Sequence, residues 1–154
     1  MNKLLLVVSF SLLLIGCSPT VEPISFGNDQ CHFCKMSIVD QRYGAEILTT
    51  KGKVFKYDAI ECMINALCEN TNNEYSYMHS IYTIDFNQPT MLVDAKAAFY
   101  LVSEALPSPM GANLTGFKAD AGAKKASTQY QGEIYTWENV FLKVIGDQTC
   151  NHDL

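Results

Sequence analysis

The sequence has few basic residues and no cluster of them. Lysine and arginine number 11 against 16 aspartates and glutamates, which gives a formal net charge of −5 at neutral pH. Proteins that bind nucleic acid or an anionic membrane through charge carry a basic patch. We therefore expect no nucleic-acid partner and no charge-driven membrane attachment.

Long hydrophobic runs are also absent. The longest, Leu4 to Ile15, has about a dozen residues, fewer than the roughly 20 that a membrane-spanning helix requires. It follows Lys3 and ends in the string Leu-Ile-Gly-Cys at Cys17, which resembles the bacterial lipobox. We therefore expect residues 1–16 to be a lipoprotein signal peptide and residues 17–30 to be a tether lipidated on Cys17. The protein would then be extracytoplasmic and lipid-anchored to a bacterial membrane, facing the periplasm on the outer membrane if the cell is Gram-negative.

The residue sets of common catalytic sites are missing as well. The sequence contains no recognisable Ser-His-Asp arrangement, paired-carboxylate motif or glycine-rich phosphate-binding loop, and it has only three histidines. We therefore expect a binding protein and not an enzyme.

Cysteines occur in an odd number once the lipid site is set aside. Of the six, those that remain are Cys31, Cys34, Cys62, Cys68 and Cys150. In an oxidising compartment at least one thiol is then unpaired, kept reduced or bound to metal. Cys62 and Cys68 are separated by a rise of about 9 Å on a predicted helix, more than the roughly 7 Å that a disulfide spans, so they should not pair. Cys150 and His152 form a weaker candidate metal pair.

Soft metal-binding side chains are concentrated in residues 31–36, Cys-His-Phe-Cys-Lys-Met, which we call the first loop. Thiolate and thioether sulfurs favour Cu(I) over hard ions. Zinc would need a closed set of four ligands, and no second Cys-x-x-Cys occurs. A structural disulfide, a thioredoxin-like redox pair and haem attachment remain open, although haem would require histidine where Lys35 stands. Only soft-metal binding gives Met36 a role.

A second methionine lies in a rigid loop farther along the chain. Residues 107–111, Pro-Ser-Pro-Met-Gly, which we call the second loop, place Met110 between proline and glycine. Such a methionine often fills a core. Its position favours metal binding instead, because Met110 precedes Gly132 much as Met36 precedes Gly52. If those glycines begin two similar units, the two loops can face each other.

The sequence around these glycines predicts an internal repeat. Residues 52–60 align with residues 132–140 at an offset of 80 residues, with glycine on glycine, aromatic on aromatic and acid on acid. Each copy has the pattern of a turn, a strand and a helix. Asp58 and Glu61 have the spacing of a capping box at the first of these helices.

The pattern as a whole predicts an α+β fold of two repeated small strand–strand–helix units with mostly antiparallel sheets. The units should span about residues 31–88 and 89–145, followed by a loose tail at residues 146–154. The predicted elements are a hairpin of Ala45–Thr50 with Lys53–Tyr57, a strand at Tyr75–Phe86, a hairpin of Thr90–Val93 with Ala97–Val102, a strand at Leu114–Lys118 and a helix at Ala119–Tyr130.

Five different motifs follow one another along the chain: Cys34-Lys35-Met36, Phe55-x-Tyr57-Asp58-x-Ile60-x-Cys62-Met63, Ile84-Asp85-Phe86, Val93-Asp94-Ala95-Lys96-x-Ala98-x-Tyr100 and Ser108-Pro109-Met110-Gly111. Together they resemble the NosL family of lipid-anchored copper-binding proteins, which are tied to the maturation of nitrous oxide reductase. The resemblance covers residues 31–145 as a NosL-like copper-binding domain. Family members often have glycine where this chain has Lys35.

The resemblance implies a Cu(I) chaperone that delivers copper to the assembly machinery of nitrous oxide reductase. Its partner would be a copper-acceptor assembly protein or an ABC-type transporter. The expected ligands are Cys34, Met36 and Met110, with Cys31 or His32 as a further donor.

Asp58 and Cys62 are expected to lie beside the site without binding metal. Two alternatives remain. The chain could be a membrane-anchored thiol–disulfide protein using Cys31 and Cys34, or a binding module for an apolar partner with inert, disulfide-bonded cysteines.

Overall fold

The computed structural model describes residues 19–70, 74–75, 77–146 and 150, so the predicted signal peptide, Cys17 and His152 lie outside the described residues. The elements in chain order are β1 (Ala45–Thr49), β2 (Val54–Tyr57), α1 (Ile60–Glu69), β3 (Met78–Asp85), β4 (Gln88–Asp94), β5 (Phe99–Val102), β6 (Leu114–Phe117), α2 (Asp120–Tyr130), β7 (Glu133–Tyr135) and α3 (Trp137–Ile145). Within the described part of the chain, no helix is both long and apolar enough to cross a membrane.

The strands form two sheets. The first has the order β2-β1-β3-β4 and the second has the order β6-β5-β7. Every pairing within them is antiparallel. Helices α1 and α3 pack against each other, and α2 packs against β5 and β6. The predicted α+β fold with antiparallel sheets is therefore confirmed.

The first hairpin forms as predicted and leads directly into α1. Ala45 pairs with Tyr57 and Leu48 pairs with Val54. Gly52 lies in the connecting turn with a φ of +79°, a conformation that glycine adopts without steric cost. Phe55 and Tyr57, two residues apart, are both buried, because alternate strand residues face the same side of a sheet. Helix α1 begins three residues after this strand ends, so the hairpin fixes where the helix starts.

The second predicted hairpin is wrong. Strand β4 pairs with β3, whereas β5 pairs with β6 and β7. The turn between β4 and β5 is bound to the first sheet, because the N–H of Ala95 donates to the carbonyl of Ile81 (3.0 Å). The hydroxyl of Tyr100 donates to the carbonyl of Ala95 (2.6 Å). These contacts direct the chain into the second sheet, so the first unit ends near Asp94 and not at residue 88.

The structural repeat follows a different alignment from the one that the sequence predicts. Both glycine-led segments do form a strand followed by a helix, β2–α1 and β7–α3. In each sheet, however, the first strand of the unit lies between the next two, in the order β2-β1-β3 and β6-β5-β7. The equivalent of β2–α1 is therefore β6–α2, at an offset of 60 residues, and each helix begins three residues after its strand ends. Helix α3 is an addition to the second unit.

The two sheets meet where β6 passes β3. The N–H of Phe86 donates to the carbonyl of Gly116 (2.9 Å). A Cβ atom at Gly116 would lie 2.9 Å from the carbonyl oxygen of Ile84 and 3.0 Å from Oγ1 of Thr83. Only glycine lets the two backbones approach this closely.

The segment predicted to be a tether through residue 30 is part of the domain from about Ile24 onward. Ile24 is buried and Phe26 packs against the core. Nζ of Lys56 donates to the carbonyl of Pro23 (3.0 Å) and pairs with the carboxylate of Asp29 (2.8 Å). The polar composition of the segment concealed the two apolar side chains that anchor it.

The predicted metal pair of Cys150 and His152 is wrong for Cys150, which forms a disulfide with Cys68. Helix α3 packs against α1, and Cys150, which lies beyond α3, is beside Cys68 in the last turn of α1. As predicted, Cys62 and Cys68 do not pair with each other. The prediction that at least one thiol is unpaired is confirmed, because Cys31, Cys34 and Cys62 are free.

Candidate metal site

The first loop is a tight turn held by its own backbone. Gln30 and Ser37 form a single antiparallel bridge across its base. Inside it, the N–H of Cys31 donates to the carbonyl of Met36 (2.8 Å), and the N–H of Lys35 donates to the carbonyl of Cys31 (3.0 Å). This geometry fixes the directions in which the two cysteines and the methionine leave the backbone.

Lys35 adopts a left-handed backbone conformation with a φ of +65°. This conformation is costly for a residue with a Cβ atom and free of that cost for glycine. The backbone conformation therefore explains why glycine, which the NosL resemblance leads one to expect, suits this position. Nζ of Lys35 donates to the carbonyl of His32, a local contact that the side chain gains in return.

The first loop is bound to the hairpin that leads into α1. The N–H of His32 donates to the carbonyl of Lys56 in β2 (2.7 Å), and the His32 ring packs 4.7 Å from the ring of Phe55. Its Nε2 lies 3.1 Å from Oε2 of Glu74. These contacts hold the loop against β2, while the imidazole is engaged with Glu74.

Three free thiols converge at this point. The sulfur atoms of Cys31, Cys34 and Cys62 all lie within 4.8 Å of one another. No other group of three His, Cys, Asp or Glu side chains with metal-binding geometry occurs in the described part of the chain. Cys31 and Cys62 are fully buried, and Cys34 is half-buried. The structure thus joins two predicted ligands to a cysteine that was expected only to lie beside the site.

The thiol cluster concentrates negative charge on Cys31. The thiol of Cys62 donates a hydrogen bond to the Cys31 sulfur, and nearby backbone N–H groups do the same. These contacts lower the pKa of Cys31 to about 5, although burial acts in the opposite direction. Burial raises the pKa of Cys34. Contact with Cys31, together with burial, raises the pKa of Cys62. These shifts favour negative charge on Cys31 over Cys34 and Cys62.

The start of α1 contributes to this electrostatic arrangement. Cys62 is the third residue of α1, and the N–H of Asp58, just before the helix, is one of the donors to Cys31. Helix N-termini favour negative charge because their N–H groups lack helical partners. Burial, followed by the nearby Cys31, raises the pKa of Asp58 to about 6. Asp58 therefore lies beside the thiols.

The predicted capping box is wrong, and Glu61 has a different task. The N-cap of α1 is Ala59, with no side-chain cap. Glu61 is buried, and its Oε1 accepts hydrogen bonds from the hydroxyl of Ser108 and from the N–H of Ala112 (3.3 Å). The N–H of Met110 also donates to this carboxylate. Glu61 therefore binds the second loop to the same turn of α1 that carries Cys62.

The two predicted methionines are accessible. Met36 is 46% exposed and Met110 is 39% exposed, although exposed large apolar side chains are few in the described structure. The first loop reaches α1 through the thiols, and the second loop reaches it through Glu61. Both soft-donor loops therefore meet the first turn of one helix.

Comparisons with known proteins identify similar chains. The NosL family model matches residues 23–145. The chain is 27% identical over 148 residues to the copper-binding lipoprotein NosL of Stutzerimonas stutzeri, covering 88% of this chain and 78% of that protein. The crystal structure of the copper chaperone NosL from Shewanella denitrificans superposes with a TM-score of 0.64 at 20% identity. The match covers 79% of this chain and 96% of that one, so the fold is shared.

Proposed function

Because the chain belongs to the NosL family, we propose that it is an extracytoplasmic metallochaperone that binds Cu(I) and delivers it to the assembly machinery of nitrous oxide reductase. The observation that carries the proposal is the meeting of two soft-donor loops at the first turn of α1, through Cys62 and Glu61. The acceptor would be a copper-acceptor assembly protein or an ABC-type transporter of that pathway.

The proposed ligands for the cargo ion are Cys34, Met36 and Met110, with Cys31 as a further donor. A thiolate supplies negative charge, and the neutral thioethers add soft donors that hard ions bind poorly. His32 is a weaker candidate than the sequence indicated, because its Nε2 contacts Glu74. The partial exposure of Met36 and Met110 suits hand-over, since an incoming acceptor ligand can reach the ion beside them.

The test is Cu(I) affinity, measured by chelator competition on the reduced protein. Cys34→Ala should abolish tight binding because it removes a cysteine ligand, which is bound to metal as the thiolate. Met110→Leu, which nearly conserves volume, should weaken uptake of Cu(I) and leave thermal unfolding of the metal-free protein unchanged. Met91→Leu is the matched control, since Met91 has a similar exposure of 37% but lies in β4. Zn(II) should compete poorly, because thioethers are poor zinc ligands.

Two results would contradict the proposal. If wild-type protein does not bind Cu(I) more tightly than the chelator does, copper is not its cargo. Equal affinity in protein oxidised at Cys31 and Cys34 would mean that these thiols take no part, since a disulfide between them competes with metal.

We also propose that lipid on Cys17 holds the protein on the membrane. The support is the lipobox-like string at residues 14–17 and the name of the Stutzerimonas stutzeri relative, a lipoprotein. Cys17→Ser should release the protein into the soluble extracytoplasmic fraction or block its maturation. A variant that stays with the membrane through an alkaline wash would exclude the lipid anchor.

A thiol–disulfide function is the second candidate. Its support is the lowered pKa of Cys31, since a thiolate is the reactive form in disulfide exchange. A redox protein should reduce a disulfide substrate with Cys31 and Cys34 even when a Cu(I) chelator is present. A copper chaperone should not show this activity.

A further inference from the structure

The thiol cluster contains more than the proposed copper site requires. Cys34, Met36 and Met110 already supply a thiolate and two thioethers. Behind them, Cys31 and Cys62 are fully buried and lie with Cys34 in a group whose sulfurs are all within 4.8 Å. The chain therefore has more soft donors at this helix end than one small Cu(I) ion needs.

The dimensions of the cluster suit one ion held by three thiolates. A metal–thiolate bond is roughly 2.3 Å long for zinc, and a planar arrangement of three such bonds places the sulfurs roughly 4 Å apart. The observed limit of 4.8 Å is close to that value, so the side chains need to contract by less than roughly 1 Å. The group contains no imidazole or carboxylate, and thiolates favour Cu(I) and zinc over hard ions. Structural zinc sites have four ligands, so a set of three thiolates favours Cu(I).

Burial separates the donors into two layers. Cys31 and Cys62 have no exposed surface, whereas Met36 and Met110 are 46% and 39% exposed. Cys34 is half-buried and belongs to both layers, in the thiol cluster and two residues from Met36 in the first loop. A thiolate sulfur has several lone pairs and can bridge two soft ions, so Cys34 can serve both layers.

We propose that Cys31, Cys34 and Cys62 form a second Cu(I) position, buried behind the methionines, with Cys34 shared between the two ions. This inference rests on the proposed function, because it assigns a second cargo ion to the same chaperone. Cys62 then acts as a ligand, a role that its place on α1 alone does not reveal.

A weaker role for Cys62 predicts a different result. Its thiol donates a hydrogen bond to Cys31, so it could serve only to orient that sulfur. Cys62→Ser keeps a hydroxyl donor at nearly the same volume but offers no soft ligand. Serine therefore preserves a hydrogen-bonding role and removes a metal-binding one.

The experiment measures the number of Cu(I) ions bound, by anaerobic chelator competition on reduced mature protein. Wild type should bind about two Cu(I) ions per chain, and Cys62→Ser and Cys62→Ala about one. Met63→Leu is the matched control, because it removes the sulfur of the next residue in α1, which is also fully buried but is not one of the three thiols, and this variant should still bind two. Thermal unfolding of each metal-free variant shows that α1 has formed.

The outcomes separate this inference from the proposed function. Wild type that binds a single Cu(I) ion, or Cys62→Ser that binds two, overturns the second position and leaves the chaperone proposal intact. Loss of one ion in Met63→Leu as well would overturn it too, because general disturbance of α1 would then explain the loss. Wild type that binds no Cu(I) contradicts the proposed function itself.

Discussion

Glu61 is the residue that joins the two halves of the site. Its buried carboxylate accepts hydrogen bonds from Ser108 in the second loop and from Ala112 directly after that loop, and Glu61 lies beside Cys62 in sequence. Burial raises the pKa of Glu61. A buried acceptor that binds several donors contributes more to the unfolding free energy than an exposed one. If it is removed, the buried donors are left with neither the acceptor nor water as a hydrogen-bond partner.

We predict that Glu61→Ala detaches the second loop from α1. The metal-free protein should lose about 1–3 kcal/mol of unfolding free energy, because buried donors of the loop lose their acceptor. Cu(I) affinity should also fall, because Met110 is no longer held near the thiols. Urea unfolding and chelator competition measure the two effects.

Glu61→Gln is the control for this prediction, since it retains an oxygen acceptor and should lose less on both measures. If Glu61→Ala destabilises the protein but keeps full Cu(I) affinity, then the second loop does not need this contact to place Met110.

The sequence predicts the thiol cluster only where its residues are neighbours in the chain. The first loop was found because two thiols and a thioether lie within six positions. The cluster of Cys62 with Cys31 was missed, because the helical pattern gives the side of α1 on which Cys62 lies but not the loop that packs there. The Glu61 contact was missed for a similar reason. Its spacing to Asp58 fits a local cap, whereas its partner Ser108 is 47 residues away.

At the level of elements, the two units share a strand order and a strand–helix succession, but their sequences show only part of this similarity. The aligned segments at residues 52–60 and 132–140 share residue classes, since each has a glycine turn before a strand and a helix. The topological match of β2–α1 is β6–α2, whose helix is rich in alanine and lysine and lacks that residue pattern. Similar local chemistry thus predicted the element types correctly and their equivalence wrongly.

We predict that Gly116→Ala weakens the joint between the two sheets. The new methyl group would lie 2.9 Å from the carbonyl oxygen of Ile84, a backbone atom that cannot move without shifting β3. Overpacking of this kind costs about 1–3 kcal/mol of unfolding free energy. Urea unfolding of the metal-free protein measures the loss.

Gly52→Ala provides the comparison for that prediction. A Cβ atom at Gly52 meets nothing within 4 Å, so its cost is limited to the left-handed backbone of the turn. If Gly116→Ala is no more destabilising than Gly52→Ala, then the close approach of β3 and β6 does not hold the sheets together.

For the molecule as a whole, the Cys68–Cys150 disulfide closes a loop with a sequence separation of 82 residues, which includes β3 through α3. A disulfide stabilises mainly by limiting the unfolded chain, and the effect grows with the length of the closed loop. It lies in the last turn of α1, at the opposite end of the helix from Cys62. Its contribution to stability should therefore be separable from copper binding.

We predict that replacing both Cys68 and Cys150 by serine lowers the unfolding free energy by about 2–5 kcal/mol and leaves Cu(I) affinity unchanged. The reductant that keeps the thiol cluster free should destabilise wild type but have no further effect on the double variant. A drop in Cu(I) affinity in the double variant would show that the disulfide supports the site.

The central claim is that two loops from the two units meet at α1 to hold soft donors for copper. It can be tested with protein labelled on its methionine methyl groups, followed by NMR as Cu(I) is added. Beyond Met1, the methionines of the chain are Met36, Met63, Met78, Met91 and Met110. At copper saturation the methyl signals of Met36 and Met110 should both shift, while those of Met78 and Met91 stay in place, because these two lie in β3 and β4 and not in the loops. Movement of Met36 without Met110 would confine the site to the first loop and contradict the account.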